Sequence, residues 1–355
     1  MKTKYLLTIP ALMLVLSGCK QEVSSVAPSQ DSSIASVASA AESENTAADA
    51  STEAVSDSAS VSEASSGSGY QNNPKERNEV KIDDDSAALY DSFLEGTAKA
   101  TYISKNDKCE YLEFSTALED GKSYTLEEMV SDLTTGVSSD SEVTLKGVSA
   151  DYIDCGLDGK IEMIVHPDIE SEFHPSIVIK NVGGSLKVCY IADSWDRNSV
   201  FVGFNGMTSS TGSGGASSHG GEEGYIDASG EYHFWHAYWE ELYGERDNNN
   251  KLSFEFNGDG NEYTIDGADL MTVVRYDLDE NRNEENTYYQ IYMMDSDNND
   301  IEDAPNNSSN PFNAARDILV KEKGLNVVSG KEIDDMLAAK RKEIGLSDEV
   351  YKFGE

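Results

Sequence analysis

From about residue 150 to 295 one short strand-like stretch follows another, with turn residues between them and no helical periodicity interposed. That order constrains the fold more than any other feature. Parallel strands need long crossover connections, commonly a helix, whereas strands joined by tight turns pair as antiparallel hairpins. The segments 161–166, 176–180, 186–191, 200–204, 224–226, 232–239, 252–256, 262–265, 271–276 and 287–293 are rich in β-branched and aromatic residues. Turns at Gly183-Gly184, 228–230 and 257–260 separate several of them. Helices are signalled on both sides. The segment 86–95 carries Leu89 and Phe93 on one face, with Gly96 as a stop. Thr125 and Glu128 are spaced as a capping box before Met129 and Leu133, with Gly136 beyond. Asn310-Pro311 opens a helix that Gly324 closes, and Ser329 with Glu332 opens one through Ile333, Met336 and Leu337 to Gly345. The expected class is α+β, mostly β: an antiparallel β-meander, as an open sheet, a sandwich or a propeller-like array, flanked by N- and C-terminal helices. The expected segments are a helical or mixed one at 79–148, an antiparallel β core at 149–300 and a helical one at 301–355.

The N-terminal portion reads differently. Lys2 and Lys4 precede an almost uncharged apolar run at 5–16, too short for a membrane-spanning helix and of the length of a signal-peptide core. The run ends in Leu16-Ser17-Gly18-Cys19, which resembles the lipobox of bacterial lipoproteins. The resemblance implies removal of a signal peptide at 1–18, diacylglycerol on the Cys19 sulfur with palmitate-type chains, and anchoring at the extracellular face of the cell membrane. Two or more acyl chains give a stable anchor, at roughly 0.8 kcal/mol per buried CH₂. Residues 19–78 are dominated by Ser, Ala and acids, with hardly an aromatic before Tyr70. Such a segment buries too little to offset its chain entropy and is expected to be a disordered tether, with a mean reach of roughly 40–45 Å.

A net charge of −39 argues against nucleic acid and anionic lipid surfaces as partners, because both would be repelled. With Cys19 lipidated, Cys109, Cys155 and Cys189 remain, an odd number that cannot form a complete disulfide framework. Three buried thiols and a single Cys155–Cys189 bridge are both open. No cysteine or histidine spacing points to zinc.

The stretch from Tyr152 to Val165 resembles the Y-x-x-I-D-C-G-x-D-G-x-x-E-L segment of uncharacterised surface lipoproteins of Gram-positive Firmicutes. More distantly it resembles the Asp-rich calcium loops of D-x-D-x-D-G-x-x-E type. That second resemblance would make Asp154, Asp158, the Lys160 carbonyl and Glu162 ligands of Ca²⁺, an ion that takes six to eight oxygens at about 2.3–2.6 Å. Gly156 stands where a carboxylate belongs and Lys160 adds a positive neighbour. The alternative is a β-turn in which Asp and Gly serve turn geometry. A second acidic turn, from Asp295 to Asp300, lacks the glycine and is expected to be a solvated loop.

Other constellations bear on binding or catalysis. His233, His236 and Glu240 would share an ion only on a helix, and the surrounding aromatics favour a strand, in which residues three apart point to opposite faces. Trp235 and Trp239, four apart, share a face in either element and are expected to be core or an aromatic platform for sugar rings. His219 and His236 are the neighbouring candidates for ligand contact. The glycine-rich 203–224 stretch is expected to be a mobile loop or a flap over a ligand; it lacks a phosphate-loop ending and a Gly-x-Ser-x-Gly elbow. No catalytic nucleophile or metal triad is recognisable. The sequence therefore points to a lipid-anchored surface module, binding a cell-wall glycan, a peptide or a cation or serving the envelope structurally. The alternative is an extracellular hydrolase of wall or nutrient polymers, with acids near 203–240. A transporter's solute-binding protein, generally α/β, fits the hairpin-rich middle poorly.

Overall fold

The computed structural model describes residues 80–109, 117–135, 145–169, 173–256, 260–305, 307 and 309–354. The expected signal peptide, Cys19, the tether, Gly136 and most of the 257–260 turn lie outside them. Among the described residues no helix is long and apolar enough to cross a membrane.

The described residues are mostly β, but their strands form two six-stranded sheets and a separate hairpin, where the sequence suggests one meander. In the first sheet, β1 (Ala100–Thr101) and β2 (Ser123–Tyr124) precede the meander β3 (Leu145–Ile153), β4 (Glu162–Ile169), β5 (His174–Val182) and β6 (Ser185–Ser194). The order is β2-β1-β6-β5-β4-β3, and β1 runs parallel to β6, so this sheet is mixed and curls as a half-barrel. Helices α1 (Asp84–Leu94) and α2 (Leu126–Leu133) supply Tyr90, Phe93, Met129 and Leu133 to the core inside the curl, against Met163, Val165, Ile177, Ile179 and Val188. The next residues along the same strands, Ile164, Val178 and Cys189, face the other way and pack with Val202 and Ile226 of the second sheet. Burial on both faces is why these strands read as unbroken apolar runs and lack alternation.

The second sheet is an antiparallel meander: β7 (Asn198–Val202), β8 (Met207–Gly215), β9 (Ser218–Ile226) and β10 (Tyr232–Tyr243). A hairpin of β11 (Leu252–Glu255) and β12 (Glu262–Ile265) then leaves the sheet, which resumes with β13 (Leu270–Asp277) beside β10 and ends in β14 (Thr287–Met294). Phe254 and Phe256 from the hairpin side pack with Met271, Ile291 and Leu319.

The C-terminal helices are α3 (Pro311–Asp317), extended by a π-helical turn at Ile318–Glu322, then α4 (Gly330–Glu343) and a short α5 (Asp348–Tyr351). Both capping boxes form: Thr125 and Ser329 each accept from the backbone of their Glu partner, and each Glu accepts in return. Each cap is worth about 1 kcal/mol. Helices α4 and α5 cover one face of the second sheet, where Leu346 and Val350 meet Met207, Tyr225 and Trp235. Between β8, β10 and β13 the opposite face keeps an open hollow.

Candidate functional site

The hollow owes its shape to glycines. The 203–224 stretch is not the loop or flap that its composition suggests: it forms β8, β9 and their tight connection. Glycine weakens a strand unless something must come close to the backbone. Here the close neighbours are aromatic residues of β10. Trp239 pairs with Gly220, and a Cβ on Gly220 would sit 2.9 Å from Cζ3 of the indole and closer still to Cε3. A Cβ on Gly214 would meet Cζ2 of the same ring at 3.0 Å. Gly221 and Gly224 similarly leave room for Tyr238 and Tyr232. The six-membered ring of Trp239 therefore rests on glycine backbone, and the residue remains 38 % exposed.

One ladder position across the sheet sets the site's polar neighbours. Asn198, Gly212, Gly220, Trp239, Arg275 and Tyr289 are successive cross-strand partners from β7 to β14. They line a cleft of about 320 Å³, joined by Ser210, Glu241, Asp277 and Arg282. Pockets for small ligands begin near this size. Arg275, beside the indole, donates from Nε and Nη2 to Asp277 Oδ1 at 3.0 and 2.9 Å. Asp277 is buried and also accepts from Thr287 Oγ1 at 2.7 Å. The guanidinium is thus fixed from behind, with its Nη1 amino group outside the pair. Glu241 accepts from the Tyr243 hydroxyl. Burial and that carboxylate raise the Tyr243 hydroxyl's pKa.

The other expected contact residues lie elsewhere. Trp235 does not share a face with Trp239. A bulge between Phe234 and His236 shifts the register of β10 against β9, turning Trp235 under the C-terminal helices, where its Nε1 donates to Leu337 O at 3.0 Å. An inserted residue reverses the alternation of faces beyond it. His236 is buried beside Trp235 and Tyr276, its Nδ1 has no partner among the described residues, and burial lowers its pKa to about 4. His219 is paired with Glu240, on the face opposite Trp239, in a shallow hollow with Arg197 and Tyr238. Trp235 and His236 are thus buried together, whereas His219 is exposed on the sheet.

The 154–162 segment is a tight turn with Gly156 and Gly159 in left-handed conformation. Gly156 packs so closely on Ala228 that a Cβ would lie 2.7 Å from its backbone nitrogen. Asp154 accepts from Gly159 N at 3.0 Å, and Asp158 accepts from Lys160 N at 2.8 Å. Burial raises the pKa of Asp154. Glu162 is fully buried, accepts from Cys155 N at 2.7 Å and pairs with Lys180 Nζ. Burial works against the Lys180 ammonium, and the neighbouring carboxylate overcomes it, so its pKa is raised. Asp154 and Asp158 share the turn, whereas Glu162 points into the core. Among the described residues the His and carboxylate groups within mutual reach of one ion are Asp227, Glu231 and His233. Asp227 there accepts from Ser229 and Glu231 backbone and contacts His233 Nε2 at 2.9 Å, while Glu231 pairs with Lys105 at 3.1 Å. Cys109, Cys155 and Cys189 are all free thiols, and burial pushes Cys189 up to about 12.

No protein-family model, curated protein or solved structure matches the chain. The functional reading accordingly rests on the geometry of the cleft.

Proposed function

We propose that this chain is a lipid-anchored surface protein that binds saccharide without transforming it, on the open face of its second sheet. The observation that carries the reading is Trp239: a large aromatic ring held against glycine backbone, partly exposed, in a concave site with fixed polar groups around it. Leaving such a ring in water forgoes roughly 1.5–3 kcal/mol of burial, which a ligand with an apolar face recovers. Sugar rings have such faces, and their hydroxyls both donate and accept, matching Arg275 together with Glu241. The carboxylates of the cleft already accept from Arg275, Thr287 and Tyr243, which favours a binding role over acid–base chemistry. The Leu16–Cys19 motif, followed by a Ser/Ala/acidic segment, supports display from a lipid anchor on the outer membrane face, where wall glycans are the abundant saccharide.

Co-sedimentation of the purified protein with insoluble wall polysaccharide tests this reading. The protein is expected in the pellet. Trp239→Ala is expected to weaken retention by a factor of about 30, the effect of losing an anchor of about 2 kcal/mol. Equal retention of both proteins would contradict it.

A further inference from the structure

The cleft does not end at Trp239. A second hollow of about 110 Å³ adjoins it and shares two lining residues with it, Asn198 and Ser210. Tyr232, Glu222 and Lys108 are among its other walls, with Tyr190 and Ala192 of the first sheet. The Tyr232 hydroxyl donates to Glu222 Oε1 at 2.8 Å, and the Lys108 ammonium lies 4.8 Å from the centre of the Tyr232 ring. Lys108 is also paired with Glu280, in the connection between β13 and β14. The second hollow thus has an aromatic wall, a carboxylate and an ammonium, all held by one another, and it meets the cleft at Asn198 and Ser210.

Charge narrows what can lie there. Each cation along the two hollows has a matched acid: Arg275 has Asp277, Arg282 lies 4.0 Å from Glu222, and Lys108 has Glu280. Glu241 adds a carboxylate with no cation in the cleft to match it. The whole chain carries −39. A ligand carboxylate or phosphate would enter a region of negative excess in which each cation is already neutralised by its own acid, at a cost that screening over about 8 Å does not remove at contact distance. A hydroxyl meets no such penalty.

We infer that the two hollows are adjacent subsites for an uncharged oligosaccharide, with one ring on Trp239 and the next over Asn198 and Ser210. This rests on the saccharide reading above and goes beyond it in chain length and charge class. Two contiguous subsites imply that affinity rises steeply between one ring and two.

Calorimetric titration of the full-length protein with chito- and cello-oligosaccharides of one to four rings, alongside oligogalacturonates of the same lengths, tests it. In at least one neutral series affinity is expected to rise about tenfold or more from one ring to two, with oligogalacturonates binding at least about tenfold more weakly than that neutral series. Glu222→Ala is expected to shrink the two-ring to one-ring affinity ratio. Equal affinity for one and two rings, or tighter binding of the charged series, overturns the inference and leaves the saccharide reading standing. Absence of binding by every series, with Trp239→Ala indistinguishable from the parent, overturns both.

Discussion

Trp239 and Gly220 are directly opposed across β10 and β9, and the indole fills the space that any side chain at 220 would need. The exposed ring is therefore built into the sheet rather than left over at its surface. Gly214 of β8 meets the same indole, and Gly221 and Gly224 of β9 lie against Tyr238 and Tyr232, so these glycines and the aromatics of β10 are two halves of one packing solution.

Gly220→Ala is expected to cost about 1–3 kcal/mol through overpacking. In a Trp239→Gly background the cost should shrink, because the ring that collides with the new methyl is gone, although the Tyr238 carbonyl 2.7 Å from that position retains part of it. Urea unfolding of the four proteins of this cycle gives the coupling. Equal costs in both backgrounds would show that the indole does not rest there.

Asp277 acts on ligand through Arg275. Replacing Asp277 with Ala frees the guanidinium to change rotamer and is expected to reduce saccharide affinity, with the loss bounded by the roughly 1.5–3 kcal/mol of a charged hydrogen bond. The Arg275→Ala/Asp277→Ala double variant should then bind about as weakly as Arg275→Ala alone. Additive losses, measured by calorimetry, would mean that Asp277 contacts ligand independently.

His236 makes the fold acid-sensitive. An unfolded histidine titrates near 6.5, while burial holds this one near about 4. Between those values the unfolded chain binds a proton that the folded chain refuses, so stability falls as pH drops, by up to about 3 kcal/mol. His236→Phe is expected to flatten thermal stability against pH between about 6.5 and 4. An unchanged slope would place the acid sensitivity elsewhere.

The Glu162–Lys180 pair is buried on both sides, with side chains 0 % and 6 % exposed. Glu162→Ala leaves an unpaired ammonium and is expected to cost about 3–5 kcal/mol, whereas Glu162→Leu with Lys180→Met should recover much of that loss. Chemical denaturation reads both. A double variant as unstable as the single one would assign the loss to packing rather than to the stranded charge.

What the chain's letters disclosed follows the range of the forces involved. The boxes at Thr125/Glu128 and Ser329/Glu332 were legible because a cap satisfies backbone donors within three residues. Most strands of both meanders were legible because tight turns punctuate them. Strand β8 was not, since Met207–Gly215 has poor β propensity and owes its place to its ladders with β7 and β9. The bulge that separates the faces of Trp235 and Trp239 has no local marker, and a spacing of four alone places the pair on one face. Glu162 read as a possible calcium ligand because its partner Lys180 comes eighteen positions later, on another strand. The parallel contact of β1 with β6 is a long-range docking that no spacing announces.

The three tryptophans, Trp195, Trp235 and Trp239, allow the most direct check. Each contributes one indole N–H signal to a ¹⁵N-resolved NMR spectrum, assignable by single replacement. On titration with a neutral disaccharide that binds, the Trp239 signal is expected to shift most and to follow the binding curve, while the Trp235 signal, held on Leu337 O, stays in place. A binding saccharide that moves Trp195 or Trp235 and leaves Trp239 untouched would place recognition outside the glycine-floored cleft.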